Sequence, residues 1–100
     1  MEIQFTTRIF KEGRTYVAHA IELDVSSCGG SSEIALEHLK EAIRLFLKEA
    51  AKMGTQQQIL QDAGYSTRNR RICKPKFVSL QSVTLPLPPA HAKSLVRSRA

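Results

Sequence analysis

Hydrophobic and polar positions alternate over residues 2–10, which is the period expected of a half-buried β-strand. One face of the first such stretch, "EIQFTTRIF", holds Ile3, Phe5, Thr7 and Ile9. The residues "KEGR" then predict a turn, because Gly13 can adopt a positive φ, and "TYVAHAIEL" resumes the extended pattern. A third short strand over residues 24–28 fits before "GGSS". The pattern predicts a β-hairpin followed by a third strand.

The hydrophobic period then changes from two to about 3.6, which indicates a long amphipathic helix over Ser32–Met53. Ser31 is the expected N-cap, and Gly54 is the expected C-terminal stop. The apolar stripe comprises Ala35, Leu36, Leu39, Ala42, Ile43, Phe46, Leu47, Ala50 and Met53. Because the stripe must cover an apolar surface, we expect Leu39, Ile43, Phe46 and Leu47 to be buried against Ile3, Phe5 and Ile9 or the opposite hairpin strand.

The second half of the chain predicts a short helix, a basic linker and a late strand. Residues 55–65 favour the helix, with Thr55 as N-cap and Gly64 at its end. "STRNRRICKPK" is predicted as the linker, and "FVSLQSVTLPLP" as a fourth strand. The apolar positions of this strand change parity between Leu80 and Val83, which would suit a bulge or a strand end. The predicted fold is therefore α+β: a three- to four-stranded, mainly antiparallel sheet packed by one long helix, in the order β-β-β-α-(short α)-β.

Length and composition indicate one small globular domain. The chain has 100 residues, 42% of them hydrophobic, and no apolar run approaches the roughly 18 residues of a membrane span. We expect residues 1–85 to form the domain and the proline-rich, basic residues 86–100 to form a disordered tail. The N-terminal residues lack the pattern of a secretory signal, so a cytoplasmic protein is expected. A chain of this size gains burial by self-association, and we expect a homodimer or a higher homo-oligomer.

The net charge of +6 is unevenly distributed along the chain. Residues 1–62 carry seven basic and nine acidic side chains, whereas residues 63–100 carry eight basic and no acidic ones. The densest basic cluster comprises Arg68, Arg70, Arg71, Lys74 and Lys76. Such a cluster can bind nucleic-acid phosphates, contact an acidic protein surface or simply be solvated, and the sequence leaves these alternatives open.

Neither the cysteines nor the histidines form a metal-binding motif. Cys28 and Cys73 are far apart without a CxxC pair, and His19, His38 and His91 fall on a predicted strand, the helix and the tail. We therefore expect no metal and no cofactor.

Two helix residues lie outside the main apolar stripe. Ile34 and Leu45 share a flank of the helix with His38. Isolated apolar residues at a surface need no special reason, but the same flank could form a subunit contact.

The ordered segments resemble the HicB-like antitoxin family. The resemblance rests on "GRTYVAHAIELDVSSCG", "ALEHLKEAI", "FLKEAAKMGT" and "ILQDAGY", and it covers residues 6–65 and, more loosely, "KPKFVSLQSVTL". It implies a partial RNase H-like fold that lacks nuclease chemistry. It also implies that the protein binds a small HicA-type RNA-cleaving toxin and occludes its RNA-binding surface.

An RNase H-type active site would need several carboxylates that converge on magnesium, whereas surface acids are the simpler interpretation of Glu22 and Asp24. We predict no catalytic residues. A toxin that binds RNA should be basic, so the candidate contact residues are acidic: Glu22, Asp24, Glu37 and Glu41. The alternative is an orphan homodimeric module of the same fold that binds nucleic acid weakly through the basic cluster.

Overall fold

The structure, a computed structural model, describes residues 2–89. Its elements follow one another as β1 (Thr7–Glu12), β2 (Thr15–Ala20), β3 (Val25–Gly29), α1 (Ser32–Met53), α2 (Gln56–Asp62), β4 (Ser66–Arg68) and β5 (Arg71–Cys73). The predicted α+β class, the three-stranded sheet and the long helix are confirmed. The hairpin formed by β4 and β5 lies in the segment that the sequence predicts as a linker.

The three-stranded sheet is antiparallel throughout and has the order β1-β2-β3. The predicted turn between β1 and β2 is confirmed, with Gly13 at φ 63°. The first strand begins later than predicted, at Thr7, because β2 ends at Ala20 and leaves the preceding residues without a partner strand. The ladder extends only to the Thr6 carbonyl, which accepts a hydrogen bond of 2.8 Å from the Ile21 amide.

Both predicted ends of α1 are confirmed. The Ser31 hydroxyl accepts a hydrogen bond of 3.1 Å from the Ile34 amide, which satisfies one of the free donors of the first turn. Gly54 ends the helix in the left-handed conformation at φ 77°. Thr55 is the N-cap residue of α2, as predicted, but its side chain forms no capping hydrogen bond, and its hydroxyl donates to the Ala50 carbonyl of α1.

The core lies between α1 and the middle of the sheet. Leu39 and Ile43 of α1 pack onto Ala18 and Ala20 of β2, and all four side chains are buried. Ala35 completes the cluster, so small side chains on both elements let the helix lie close to the sheet. The predicted burial of Leu39 and Ile43 is confirmed.

The helix covers only part of the sheet, so the predicted burial of Phe46 is wrong, and α1 packs on the opposite hairpin strand, β2, rather than on Ile9. It packs on β3 and β2, while β1 lies to one side. Phe46 is 38% exposed and Ile9 is 40% exposed, because each lies at the margin of this contact. Met53 is also exposed, since it belongs to the last turn of α1.

The predicted late strand is not formed within the described chain. Residues 74–89 contain no helix or strand, and the apolar side chains of residues 77–87 face solvent. A strand requires a hydrogen-bonding partner, and this segment does not pair with the sheet. Residues 90–100, most of the predicted tail, lie outside the described residues.

Candidate functional site

Two of the four acidic candidates lie in the turn between β2 and β3. Asp24 adopts a positive φ of 56°, a conformation that aspartate tolerates better than most residues. The side chain of Asp24 is 90% exposed, whereas Glu22 is half-buried. The turn thus presents one carboxylate to solvent and directs the other toward the protein.

The Glu22 carboxylate binds the segment that precedes β1. It accepts hydrogen bonds from the Thr6 amide at 2.6 Å and from the Thr6 hydroxyl at 2.7 Å. Partial burial raises the pKa of Glu22, but these bonds and the nearby Lys74 charge outweigh it, so the pKa lies below its ordinary 4.5. The charged carboxylate therefore stabilises the fold above that value, and the contribution is lost as the pH falls through the lowered pKa.

Tyr65 also binds the segment that precedes β1. Its hydroxyl donates a hydrogen bond of 2.6 Å to the Gln4 carbonyl, and the residue is buried. Burial raises the pKa of Tyr65 to about 12, with a further contribution from the negative charge of Glu22. Glu22 and Tyr65 therefore hold Thr6 and Gln4 where the sheet pairing ends.

Asp24 belongs to a hydrogen-bond network of three side chains. Arg8 Nε donates to His19 Nδ1 at 3.2 Å, and His19 Nε2 lies 2.8 Å from an Asp24 carboxylate oxygen. Because the arginine can only donate, these directions fit the histidine tautomer that carries its proton on Nε2. This network fixes the orientation of Asp24 and leaves most of its side chain exposed to solvent.

The other two acidic candidates, Glu37 and Glu41, lie on α1. Each forms an ion pair three residues along the helix, Glu37 with Lys40 at 3.0 Å and Glu41 with Arg44. Among residues 2–89, no hydrogen bond or ion pair joins either glutamate to the turn between β2 and β3. The four predicted toxin-binding residues therefore form two separate groups.

The predicted dimer-contact residues do share one flank of α1. Ile34 is 47% exposed and Leu45 is 54% exposed. His38 Nδ1 donates a hydrogen bond of 2.8 Å to the Cys28 carbonyl, which ties this flank to β3.

The basic cluster lies in a hairpin, whereas the sequence predicts a linker for these residues. Arg68 pairs with Arg71 across a two-residue turn, and both turn residues have positive φ, 51° at Asn69 and 64° at Arg70. This is the backbone of a type I′ turn, for which Asn-Gly is the favoured sequence. Asn69 was the available signal; the arginine that replaces the usual glycine obscures it.

The five basic candidates for nucleic-acid binding differ in their surroundings. Arg68, Arg70 and Arg71 are exposed and, within the described range, have no acidic partner. Lys74 donates to the Thr6 hydroxyl at 3.1 Å, and its ammonium lies 5.8 Å from the centre of the Phe77 ring. Lys76 is exposed. A concave surface between the hairpin and the N-terminal segment is lined by Glu2, Gln4 and residues 70–74.

The described part of the chain contains no group of three or more histidine, cysteine or acidic side chains that could hold a metal ion. Cys28 and Cys73 are free thiols. Neither helix among residues 2–89 is both long and apolar enough to cross a membrane.

Comparison of the chain with protein-family models, with curated proteins and with solved structures finds no significant match in any of the three.

Proposed function

We propose that the protein is a HicB-like antitoxin that binds a small HicA-type RNA-cleaving toxin and covers its RNA-binding surface. The observation that carries the proposal is the element order. The residues that resemble the family, 6–65, fold as β1-β2-β3-α1-α2, with three antiparallel strands under one long helix. This is the arrangement that the resemblance predicts for a protein that acts by binding.

Exposed carboxylates on two parts of the domain support the proposed contact with a basic toxin. Asp24 is oriented by His19 and remains largely exposed. The side chains of Glu37 and Glu41 are 70% and 57% exposed on the outer face of α1. Charges at an interface mainly accelerate association and select the partner, so these three carboxylates suit a partner that binds phosphates. The Glu22 carboxylate already binds Thr6 and is less available.

The direct experiment is co-expression with the product of an adjacent gene that encodes a small basic protein. We expect the two proteins to co-purify and the antitoxin to restore growth that the toxin arrests. Removing three exposed charges should weaken the complex about tenfold or more, and the loss should shrink at high salt. The variant carries Asp24→Asn, Glu37→Gln and Glu41→Gln. The asparagine tolerates the positive φ at position 24.

A matched variant removes the same charge from other exposed positions, with Glu12→Gln, Glu49→Gln and Asp62→Asn. It should bind the toxin as tightly as the unmodified protein. Equal weakening by both variants would contradict the proposed contact surfaces. Absence of rescue while both proteins are folded would contradict the antitoxin function itself.

A second candidate function is supported by the basic hairpin. A two-stranded ribbon fits the major groove of a nucleic-acid duplex, and three exposed arginines lie at or beside the turn between β4 and β5. In this alternative the protein is an orphan homodimeric module of the same fold that binds nucleic acid through phosphate contacts. Because phosphate contacts carry no sequence information, binding should be weak and sequence-tolerant.

The salt dependence of binding to duplex DNA and to single-stranded RNA tests this candidate. Replacement of the three hairpin arginines (Arg68→Gln, Arg70→Gly, Arg71→Gln) should reduce the slope of log K against log salt on duplex DNA by about 2 to 3. The control variant removes three cations from α1 (Lys40→Gln, Arg44→Gln, Lys48→Gln) and should leave the slope nearly unchanged. Binding that persists at high salt and discriminates between sequences would contradict a phosphate-only contact.

A further inference from the structure

Residues 77–87, here called the late segment, expose an unusual amount of apolar surface. Val78 is 95% exposed, and Phe77, Leu80, Val83, Leu85 and Leu87 are exposed as well. The segment contains no charged residue. Single exposed apolar residues are common, but a contiguous run marks an interaction surface. Its two alternating stretches have the side-chain period of a β-strand, although no strand is formed.

The sheet also has an open edge along β1. Because Thr6 and Ile21 form a hydrogen-bonded pair, the antiparallel pattern directs the backbone groups of Thr7, Ile9 and Lys11 away from β2. No backbone bond satisfies these groups among residues 2–89. Ile9 and Phe10 are each 40% exposed on opposite faces of this edge, and with Arg8 they line a shallow depression. Such an edge is a template for another strand.

The opposite edge of the sheet is less available. The Cys28 carbonyl of β3 already accepts a hydrogen bond from His38, and α1 packs over this strand. An added strand would have to displace this bond. The β1 edge is therefore the better acceptor.

The late segment does not fold back onto its own β1 edge. The residues just before it are held to the domain, because Lys74 donates to the Thr6 hydroxyl and Pro75 lies close to Gly64. Beyond this point the chain leaves the body of the domain. The large apolar side chains of residues 78–87 are 74% to 95% exposed, so they do not pack against the domain that precedes them.

We propose that the late segment of one chain adds as a strand to the open β1 edge of a second copy, and that the exchange is reciprocal. One chain carries both the donor segment and the acceptor edge. In a closed two-fold dimer, the late segment of each copy therefore pairs with the β1 edge of the other. Because the donor is uncharged, it meets Arg8 and Lys11 of the acceptor edge without repulsion. Backbone hydrogen bonds provide the pairing, and Ile9 and Phe10 provide apolar contacts on the two faces. The inference does not depend on a toxin partner.

Light scattering of the full chain at tens of micromolar tests the exchange. We expect the unmodified protein to have the mass of a dimer. Val78→Glu combined with Leu80→Glu should raise the dissociation constant by about 100-fold or more, because two apolar side chains lose their burial. The circular dichroism spectrum should be unchanged, since both side chains are exposed in the single chain.

The acceptor edge is tested separately. Lys11→Pro removes an amide that points away from β2 and should raise the dissociation constant at least tenfold, whereas Lys11→Ala should not. Leu45→Glu, on the flank of α1, should leave the dimer intact. A monomeric unmodified protein would overturn the proposal. So would a dimer that dissociates with Leu45→Glu but tolerates the other changes, because its interface would then lie on α1.

Discussion

Leu39→Ala is expected to lower the free energy of unfolding by about 3 to 5 kcal/mol. Leu39 is the largest fully buried side chain among the described residues, and it packs onto Ala18 and Ala20 of β2. Because those neighbours are small and belong to a hydrogen-bonded strand, they cannot move far enough to fill the space. The cost therefore combines lost burial with a cavity. Urea denaturation followed by circular dichroism measures the change.

The same helix supplies graded controls for this prediction. Leu45→Ala removes the same atoms from a residue that is 54% exposed, and it should cost less than about 1 kcal/mol. Phe46→Ala should give an intermediate value, since its ring is only partly covered. Equal losses at positions 39 and 45 would mean that α1 does not pack on the sheet through the face seen in the structure.

Leu39 and Phe46 show that the hydrophobic period of a helix does not by itself predict which of its apolar residues are buried. Both residues lie on the apolar stripe of α1, and the 3.6-residue period predicts burial for both. The period defines the face of a helix, but the width of the surface beneath it depends on how many strands pair. Three strands with α1 over β2 and β3 leave Phe46 at the margin.

Residues typical of turns and helix ends predict the local structure more reliably than the hydrophobic period predicts burial. Gly13, Ser31 and Gly54 each have a conformational or hydrogen-bonding property that acts within a few residues, and each has its predicted role in the structure. The late strand is predicted from residues that favour extended backbone. Such residues do not supply the partner strand, and the described chain provides none for residues 77–87.

The candidate sites show the same limit. The sequence identifies exposed charge, and Asp24, Glu37 and Glu41 are indeed at the surface. It could not assign Glu22 to Thr6, because those residues are 16 positions apart and meet only when β1 and β2 pair. Nor could it distinguish Lys74, which binds Thr6, from the exposed arginines of the hairpin. Charge is a property of the residue, whereas its availability to a partner is a property of the fold.

Gly29→Ala is expected to lower the free energy of unfolding by about 1 to 3 kcal/mol, because it overpacks the junction of β3 and α1. A β-carbon at Gly29 would lie 2.6 Å from Ile34 Cγ2 and 2.8 Å from the backbone nitrogen of Ala35. The second contact involves the first turn of α1, which the Ser31 cap holds in place. The strand and the helix would therefore have to separate, and the separation would loosen the packing of Ala35 on the sheet.

The adjacent glycine provides the matched control, since a β-carbon at Gly30 would meet nothing within 4 Å. Gly30→Ala should change the free energy of unfolding by no more than about 0.5 kcal/mol. Adding Ile34→Ala to Gly29→Ala removes the side-chain contact but leaves the backbone contact, so it should restore only part of the lost stability. Full restoration would show that the helix backbone tolerates the β-carbon. Equal effects at the two glycines would contradict the close approach of β3 to α1, on which the packing of the small core depends.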